Sequence, residues 1–263
     1  MQYALIDGRR VEAQPGRNAH CPVCGSPVIP RCGEIRVHHW AHRGERKCDY
    51  WWEPETGWHR DWKAHFPEAW REYLKRAADG EKHIADIRSP SGHVIEVQHS
   101  FLKPDERRAR EAFYGNMTWI VDGTRRKRDR QRFIEAASRW RNWGRHNRIF
   151  IAPFPDRGLP SEWLTSSVPV YFDFGADRLP WDHGPTLAQS LWCLLPQRPA
   201  DNAVIVEISK AAFIARCAED QPVFDIARLV AQVVSALQHA ERQRRAAYLP
   251  PWRRQPRRRY ARF

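Results

Sequence analysis

The chain alternates between runs of period two and runs of helical period, and that rhythm predicts its elements. Tyr3–Ile6 followed by Asp7-Gly8 reads as a short strand and a turn. From Glu55 to about Ala78, Trp58, Trp62, Phe66, Trp70 and Tyr73 recur at spacings of four and three, a helical aromatic stripe whose place is the core. Pro67 interrupts the stripe, so a kink or a break into two helices is expected there. Lys82–Arg88 and Val94–Gln98 read as strands flanking the turn formers Ser89-Pro90-Ser91-Gly92. A helix over Pro104–Tyr114 and an apolar strand over Met117–Val121 follow. After a basic, partly helical block at Arg125–Arg148, Val168–Phe174 and Ala203–Ile208 read as strands, and Ala211–Ala218 and Phe224–Ala240 as helices. Helices interleaved with strands predict an α/β fold. Four stretches are expected: a Cys/His module at 1–50, a core with its basic extension at 51–148, a further α/β region at 149–240 and an Arg-rich tail at 241–263.

Charge sharpens this division. The formal net charge is +13, yet residues 1–123 carry only +1 and residues 149–240 carry −4. The excess lies in residues 124–148 and 241–263, each +8. Such blocks attract polyanions. Trp140 and Trp143, interleaved with Arg139, Arg141 and Arg145, read as rings that stack on unpaired bases beside phosphate-binding guanidiniums. The tail repeats the theme from Trp252 to Tyr260, where a solubilising tail is an equal reading. No base-reading motif is present, so the expected nucleic-acid contact is without sequence specificity. No apolar run nears the ~18 residues of a membrane helix, so no membrane partner is expected. The N-terminus lacks a basic-then-apolar signal, and the expected location is cytoplasmic.

In that compartment six cysteines point to metal ligands or buried thiols, not disulfides. Cys21-Pro-Val-Cys24-Gly25 is a knuckle that lets two thiolates bite one tetrahedral zinc ion. Fourteen residues separate Cys24 from His39, seventeen separate it from His42, and five more precede Cys48. The expected structural Zn²⁺ set is Cys21, Cys24, His42 and Cys48, with His39 as the substitute fourth ligand and Cys32 a bystander. The alternative is a reduced, metal-free loop. Cys193 and Cys217 lie in apolar surroundings and read as core thiols.

A second constellation is carboxylic. Period two puts Glu96 and Gln98 on one face of their strand, and the turn can bring Asp86 beside them. Glu55, His59 and Lys63, at i, i+4 and i+8, form a polar ridge on the preceding helix. Carboxylates in such a set can hold Mg²⁺ for phosphodiester hydrolysis. The plainer alternative is a half-exposed sheet whose polar side chains face water. Asp173, ending an apolar strand, reads as a structural turn residue rather than a second ligand site.

Taken in series, Cys21-Pro-Val-Cys24-Gly, His39-Trp-Ala-His42, Cys48, Glu55-x3-His59-x3-Lys63, Ala85-Asp86, Ile95-Glu96-Val97-Gln98-x-Ser100, Arg110-x3-Tyr114 and Trp119-Ile120-Val121 resemble the competence protein CoiA family. These are nuclease-like proteins of the PD-(D/E)XK restriction-endonuclease superfamily. The resemblance spans residues 20–123 and extends weakly to Val168–Gly175 and Ile208-Ser209-Lys210. It implies a restriction-endonuclease-like α-β-β-β-α-β core, one edge strand of which the pattern does not place, with an N-terminal zinc ribbon and an additional α/β C-terminal region. Asp86 and Glu96 would then hold Mg²⁺, with Glu55 as a third carboxylate. Gln98 stands where many superfamily members have Lys. A glutamine can hydrogen-bond a water or phosphate but supplies no charge, and Lys63 could supply the missing cation. The implied activity is a Mg²⁺-dependent deoxyribonuclease in DNA processing or natural transformation. The alternative is an inactive, DNA-binding recombination accessory.

Overall fold

Asp7 and Gly8 both take positive φ, 49° and 76°, as a two-residue type I′ hairpin turn requires. They join β1 (Tyr3–Ile6) to β2 (Arg9–Glu12). With β3 (Ala19–His20), β4 (Pro27–Arg31) and β5 (His39–His42) these strands form an antiparallel sheet of order β2-β1-β3-β4-β5. Ala4, Val28 and Trp40 fill its small core, and Leu74 and Ile84 from the next region pack against it. The structure, a computed structural model, describes residues 1–44, 48–143, 148–175 and 189–247. The Trp252–Tyr260 run and Arg145 lie outside the described residues.

The aromatic stripe divides at Pro67. Thr56 caps α1 (Gly57–Ala64), its hydroxyl accepting the His59 amide at 3.2 Å. After Pro67 the chain makes one 3-10 turn and enters β6 (Arg71–Arg76). The second half of the expected Glu55–Ala78 helix is therefore a strand. Pro67 has no N–H to continue the helix, and Arg71–Arg76 gains a full partner instead, pairing antiparallel with β7 (Lys82–Arg88). Tyr73, placed on the buried stripe by helical spacing, is 38% exposed. β6, which the sequence pattern does not place, lies at one edge of its sheet.

β7, β8 (Val94–Gln98) and α2 (Pro104–Tyr114) have the bounds expected, and β9 (Met117–Asp122) runs one residue longer. Then come α3 (Asp129–Ala137), β10 (Arg141–Trp143), β11 (Ile149–Ala152), β12 (Val170–Asp173), β13 (Ser190–Leu194), β14 (Ala203–Ser209), α4 (Lys210–Ala218) and α5 (Ile226–Ala247). All strands from β6 onward share one nine-stranded sheet of order β10-β11-β14-β13-β12-β9-β8-β7-β6. The strands of 149–240 thus continue the sheet begun in 51–148. β8, β9 and β12 are parallel neighbours at its centre, and the other pairs are antiparallel.

Helices cover both faces of this sheet. Trp119, Phe172 and Trp192 face one core with Tyr114 of α2 and Phe133 of α3. Ile120, Tyr171 and Leu191 face the other with Trp62 of α1, Phe213 of α4 and Val233 of α5. The alternation Trp119, Ile120, Val121 across the faces is the period-two rule at work. Trp140 is buried in the first core, its ring 5.5 Å from Phe133. Trp143 is partly buried against the second core. Neither tryptophan is the open base-stacking ring expected of it, because both belong to the segment leading into β11, which is buried along its whole length. Among the described residues no helix is long and apolar enough to cross a membrane.

Candidate functional site

The N-terminal sheet brings together Cys21, Cys24, His42 and Cys48, whose donor atoms all lie within 4.8 Å of one another. Cys21 and Cys24 sit on the turn between β3 and β4, where the Gly25 amide donates to the Cys21 carbonyl at 2.9 Å and the Val23 amide points at the Cys21 sulfur at 3.4 Å. Cys21 Sγ is 3.8 Å from Cys48 Sγ, while His42 Nε2 is 3.4 Å from Cys24 Sγ and 3.7 Å from Cys48 Sγ. Four donors each ~2.3 Å from one tetrahedral zinc ion are separated by about 3.8 Å, so the donor set fits that ion by geometry and by chemistry. Burial opposes ionisation of Cys24, but hydrogen bonds from Ser26, His42 and Cys21 outweigh it and bring the thiol down to about 6. Burial pushes Cys21 up. His39 turns Nδ1 to the Val37 carbonyl at 2.9 Å and stands outside the group. Cys32 also stands outside it, and Cys193 and Cys217 are buried thiols that burial pushes up to about 12.

The carboxylates meet where two strands part. β7 and β8 pair at Arg88–Val94 and Ile87–Ile95, and the backbone ladder stops there. Side chains then take over its bonds: the Asp86 amide donates to Glu96 Oε1 at 3.1 Å, and the Val97 amide donates to Asp86 Oδ2 at 2.9 Å. The remaining oxygens are also engaged. Asp86 Oδ1 is 2.9 Å from His59 Nε2, and Glu96 Oε2 is 3.4 Å from Arg110 Nη1. The two carboxyls border a cavity of about 60 Å³ that Glu53, Glu55, His59, Lys63, Glu72 and Arg110 also line.

Electrostatics splits the pair. Burial and the Asp86 charge push Glu96 well above the ordinary carboxylate range. For Asp86 burial acts in the same sense, but His59 and Lys63 outweigh it and hold the group below its ordinary value. Two buried carboxyls driven apart in this way offer hard oxygen donors whose mutual repulsion a divalent cation relieves.

Glu55 plays a different part from the one expected. It precedes the helix cap, and its carboxylate is gripped by Lys63 Nζ at 2.5 Å and Arg60 Nη2 at 2.6 Å. Among the described residues, the Cys/His cluster is the group of three or more His, Cys, Asp or Glu donors that converge within 4.8 Å, so Glu55 does not close a three-carboxylate set with Asp86 and Glu96. Lys63, only 2% exposed, spans Glu55 and Glu72, the latter at 3.1 Å. Gln98 donates to Glu53 Oε2 at 2.9 Å and to Ser100.

Sequence reasoning missed Glu53 and Glu72. Glu53 takes bonds from Gln98 and from the Ser100 amide and hydroxyl, and lies 3.9 Å from His59 Nδ1. No periodicity marks it, because it sits in the connection between Cys48 and α1. Glu72, at φ 46°, drops out of the β6–β7 pairing without shifting its register and accepts the Gln2 and Tyr3 amides at 2.7 and 2.9 Å, tying the first sheet to the second. Asp173 is buried and fully engaged, with the Trp58 and Trp62 indole N–H groups at 3.3 and 3.1 Å, Lys210 at 2.8 Å and the Gly175 amide at 3.0 Å, as a structural residue is.

Fold and clusters define a mixed α/β protein with a Cys₃His cluster in its N-terminal sheet. Residues 9–51, which hold that cluster, match the family described as competence protein CoiA, N-terminal domain, and the N-terminal segment is CoiA-like. The match ends before α1, so the carboxylate cavity lies largely beyond it. No curated protein and no solved structure matches the chain.

Proposed function

We propose that the chain is a Mg²⁺-dependent deoxyribonuclease with a PD-(D/E)XK-type core, working in DNA processing of the competence-related kind that the CoiA name carries. One observation carries the reading: two buried carboxyls, Asp86 and Glu96, fill the gap where β7 and β8 separate and border a shared cavity. The order α1, β6, β7, β8, α2, β9 supports it, being helix, three strands, helix and strand. Mg²⁺, when bound, polarises the scissile phosphate and lowers the pKa of an attacking water. The chain's own residues position that chemistry. His59 orients Asp86, and Arg110 sits beside Glu96 as the nearest buried cation. Lys63 acts through Glu55 and Glu72 as a positioning residue, and Gln98 is aligned by Glu53. The Cys₃His set holds a structural zinc.

A second reading, DNA binding without cleavage, is favoured by the partners that all four Asp86 and Glu96 oxygens already have. The zinc-loaded protein and Asp86→Asn, incubated with plasmid and single-stranded DNA with and without Mg²⁺ or Mn²⁺, separate the two. An asparagine oxygen can still accept the Val97 amide, so the fold is kept. Metal-dependent cleavage lost in Asp86→Asn is the expected result. Salt-sensitive binding with no cleavage by the unaltered protein would overturn the nuclease reading.

A further inference from the structure

Burial of Trp140 leaves the basic block without its expected aromatic partners, and the fold supplies another. Phe101, three residues beyond Gln98 on the chain leaving β8, is 50% exposed. The guanidinium carbons of Arg125 and Arg126 lie 6.0 and 5.9 Å from the centre of its ring. Both arginines follow the end of β9, the parallel neighbour of β8, so the sheet itself brings ring and cations to one edge. Glu162 pairs with both guanidiniums, at 3.7 and 3.2 Å, and fixes them there while leaving the trio net positive. Lys127 and Arg128 continue the block and are exposed.

The residue before the ring is tied to the lining of the carboxylate cavity. Glu53 takes hydrogen bonds from the Ser100 amide and hydroxyl, which ties the neighbours of Phe101 to the neighbours of Trp52. Trp52 lines that cavity and is 45% exposed. An exposed Phe beside paired guanidiniums, with an exposed Trp at the cavity, suits flat, unpaired bases and the phosphates that link them. A duplex offers its phosphates but keeps its bases stacked inside.

We infer that Phe101, Arg125, Arg126 and Trp52 seat a single strand of nucleic acid across the mouth of the Asp86–Glu96 cavity. Phe101 stacks on one base, Arg125 and Arg126 contact adjoining phosphates, and Trp52 meets the strand where it passes the carboxyls. This deepens the nuclease reading by naming an unpaired strand as its substrate, and it rests on that reading only for the purpose of the seat. Binding itself does not need cleavage.

The test is therefore a binding titration of the full, zinc-loaded chain carrying Asp86→Asn, without added Mg²⁺, against a labelled oligothymidylate and a blunt duplex of equal length. Single strand is expected to bind at least about 10-fold tighter than duplex. Phe101→Ala should weaken single-strand binding about 5- to 150-fold, the range that ~1–3 kcal/mol per stacked base gives. Phe101→Trp should keep the affinity and show quenching of its indole on binding. Paired Arg125→Gln and Arg126→Gln should flatten the salt dependence by about 1.4 in slope, at ~0.7 per phosphate on a single strand. Phe154→Ala is the control. That ring is 59% exposed with Arg157 at 4.9 Å, but it follows β11, four strands away from β9 in the sheet, and its loss should change nothing. Equal affinity for duplex and single strand, or a Phe101→Ala protein that binds like its parent while melting normally, would overturn the seat. Failure of the cleavage assay with the seat intact would overturn only the nuclease reading.

Discussion

Lys63 is the buried cation on which the junction between the two sheets depends, and Lys63→Met is its most direct perturbation. The ammonium is 2% exposed and touches Glu55 at 2.5 Å and Glu72 at 3.1 Å, carboxylates that are 6% and 9% exposed. Methionine keeps the length and apolar stem but leaves two buried carboxylates without their shared partner. Removing one member of a buried ion pair costs ~3–5 kcal/mol. Arg60 still holds Glu55 at 2.6 Å, so the loss falls mainly on Glu72 and the lower end of the range, about 3 kcal/mol, applies. At ~2 °C per kcal/mol for a chain of this size, Tm should fall by about 6 °C at pH 7. The pH dependence has a definite sign. Burial alone would raise Glu72, but Lys63, the N-terminal ammonium and the Gln2 and Tyr3 amides outweigh it and hold it well below the ordinary carboxylate value. Its stabilisation is therefore present above the unfolded value of ~4.3 and is lost as pH falls below that. In Lys63→Met the N-terminal ammonium and the two amides still oppose burial but the largest opposing charge is gone, so Glu72 takes up a proton more readily than in the parent and the penalty eases in acid. Thermal melts of parent and variant should thus differ most between about pH 6 and 8, with a gap that narrows toward pH 4. Lys63 itself is raised by its partners, so its contribution persists through neutral pH and fades only at strongly alkaline pH. A variant melting within about 1 °C of the parent at pH 7, or a gap unchanged from pH 7 to 4, would refute the reasoning.

The Cys₃His set should carry about one zinc per chain after purification without chelator, and Cys48→Ser should bring elemental analysis below about 0.5. Unaltered protein below that figure would count against the site. Gly123→Ala should cost about 1–3 kcal/mol, since a Cβ there would sit 2.4 Å from the Phe174 ring, itself stacked 4.0 Å from Phe133; a denaturant midpoint equal to the parent's would sink this. Glu111→Ala should cost about 3–5 kcal/mol by stranding buried Arg107, its partner at 2.5 Å. Against the effect of burial, Ser167, Ser166 and Arg107 hold Glu111 below its ordinary value, so that deficit should shrink as pH falls below about 4. Melts at pH 7 and pH 4 giving equal deficits would contradict the assignment.

How much of this was legible depends on what kind of signal each element sends. β7, β8 and α2 were readable to the residue because turn formers and a first-turn Pro bracket them and their periodicity is local. β6 was not, since Trp70 and Tyr73 continue a helical spacing by coincidence, and the pairing partner that makes them a strand lies in β7. The cysteine and histidine ligands were legible because sulfur chemistry and spacing narrow the choices to a few, and the structure chose His42 over His39. Asp86 and Glu96 do come together, but what each carboxyl touches was invisible. The sequence places Glu55 and Lys63 on one helical ridge; it does not say that Glu55 precedes the cap or that Glu72 arrives from another strand to share the lysine.

The two clusters are joined by a short connection that accounts for the position of nearly everything between them. Directly after the ligand Cys48, Asp49 bonds His83 Nδ1 at 2.9 Å and the Ile84 amide at 3.3 Å, fixing the segment to β7. Trp51 then stacks on His83 at 3.3 Å and accepts Arg110 Nη2 on its carbonyl at 2.6 Å, which sets the cation beside Glu96. Glu53 orders Gln98 and Ser100 from the same strap. A chain of irregular backbone would ordinarily be the mobile part of such a site. Here Asp49, Trp51 and Glu53 are anchored in turn to β7, to α2 and to the chain at β8, while Cys48 anchors the start to the first sheet. The order of the cavity therefore rests on the Cys₃His cluster at one end and on the β7–β8 split at the other. Neither sheet alone contains the geometry that places Arg110 against Glu96.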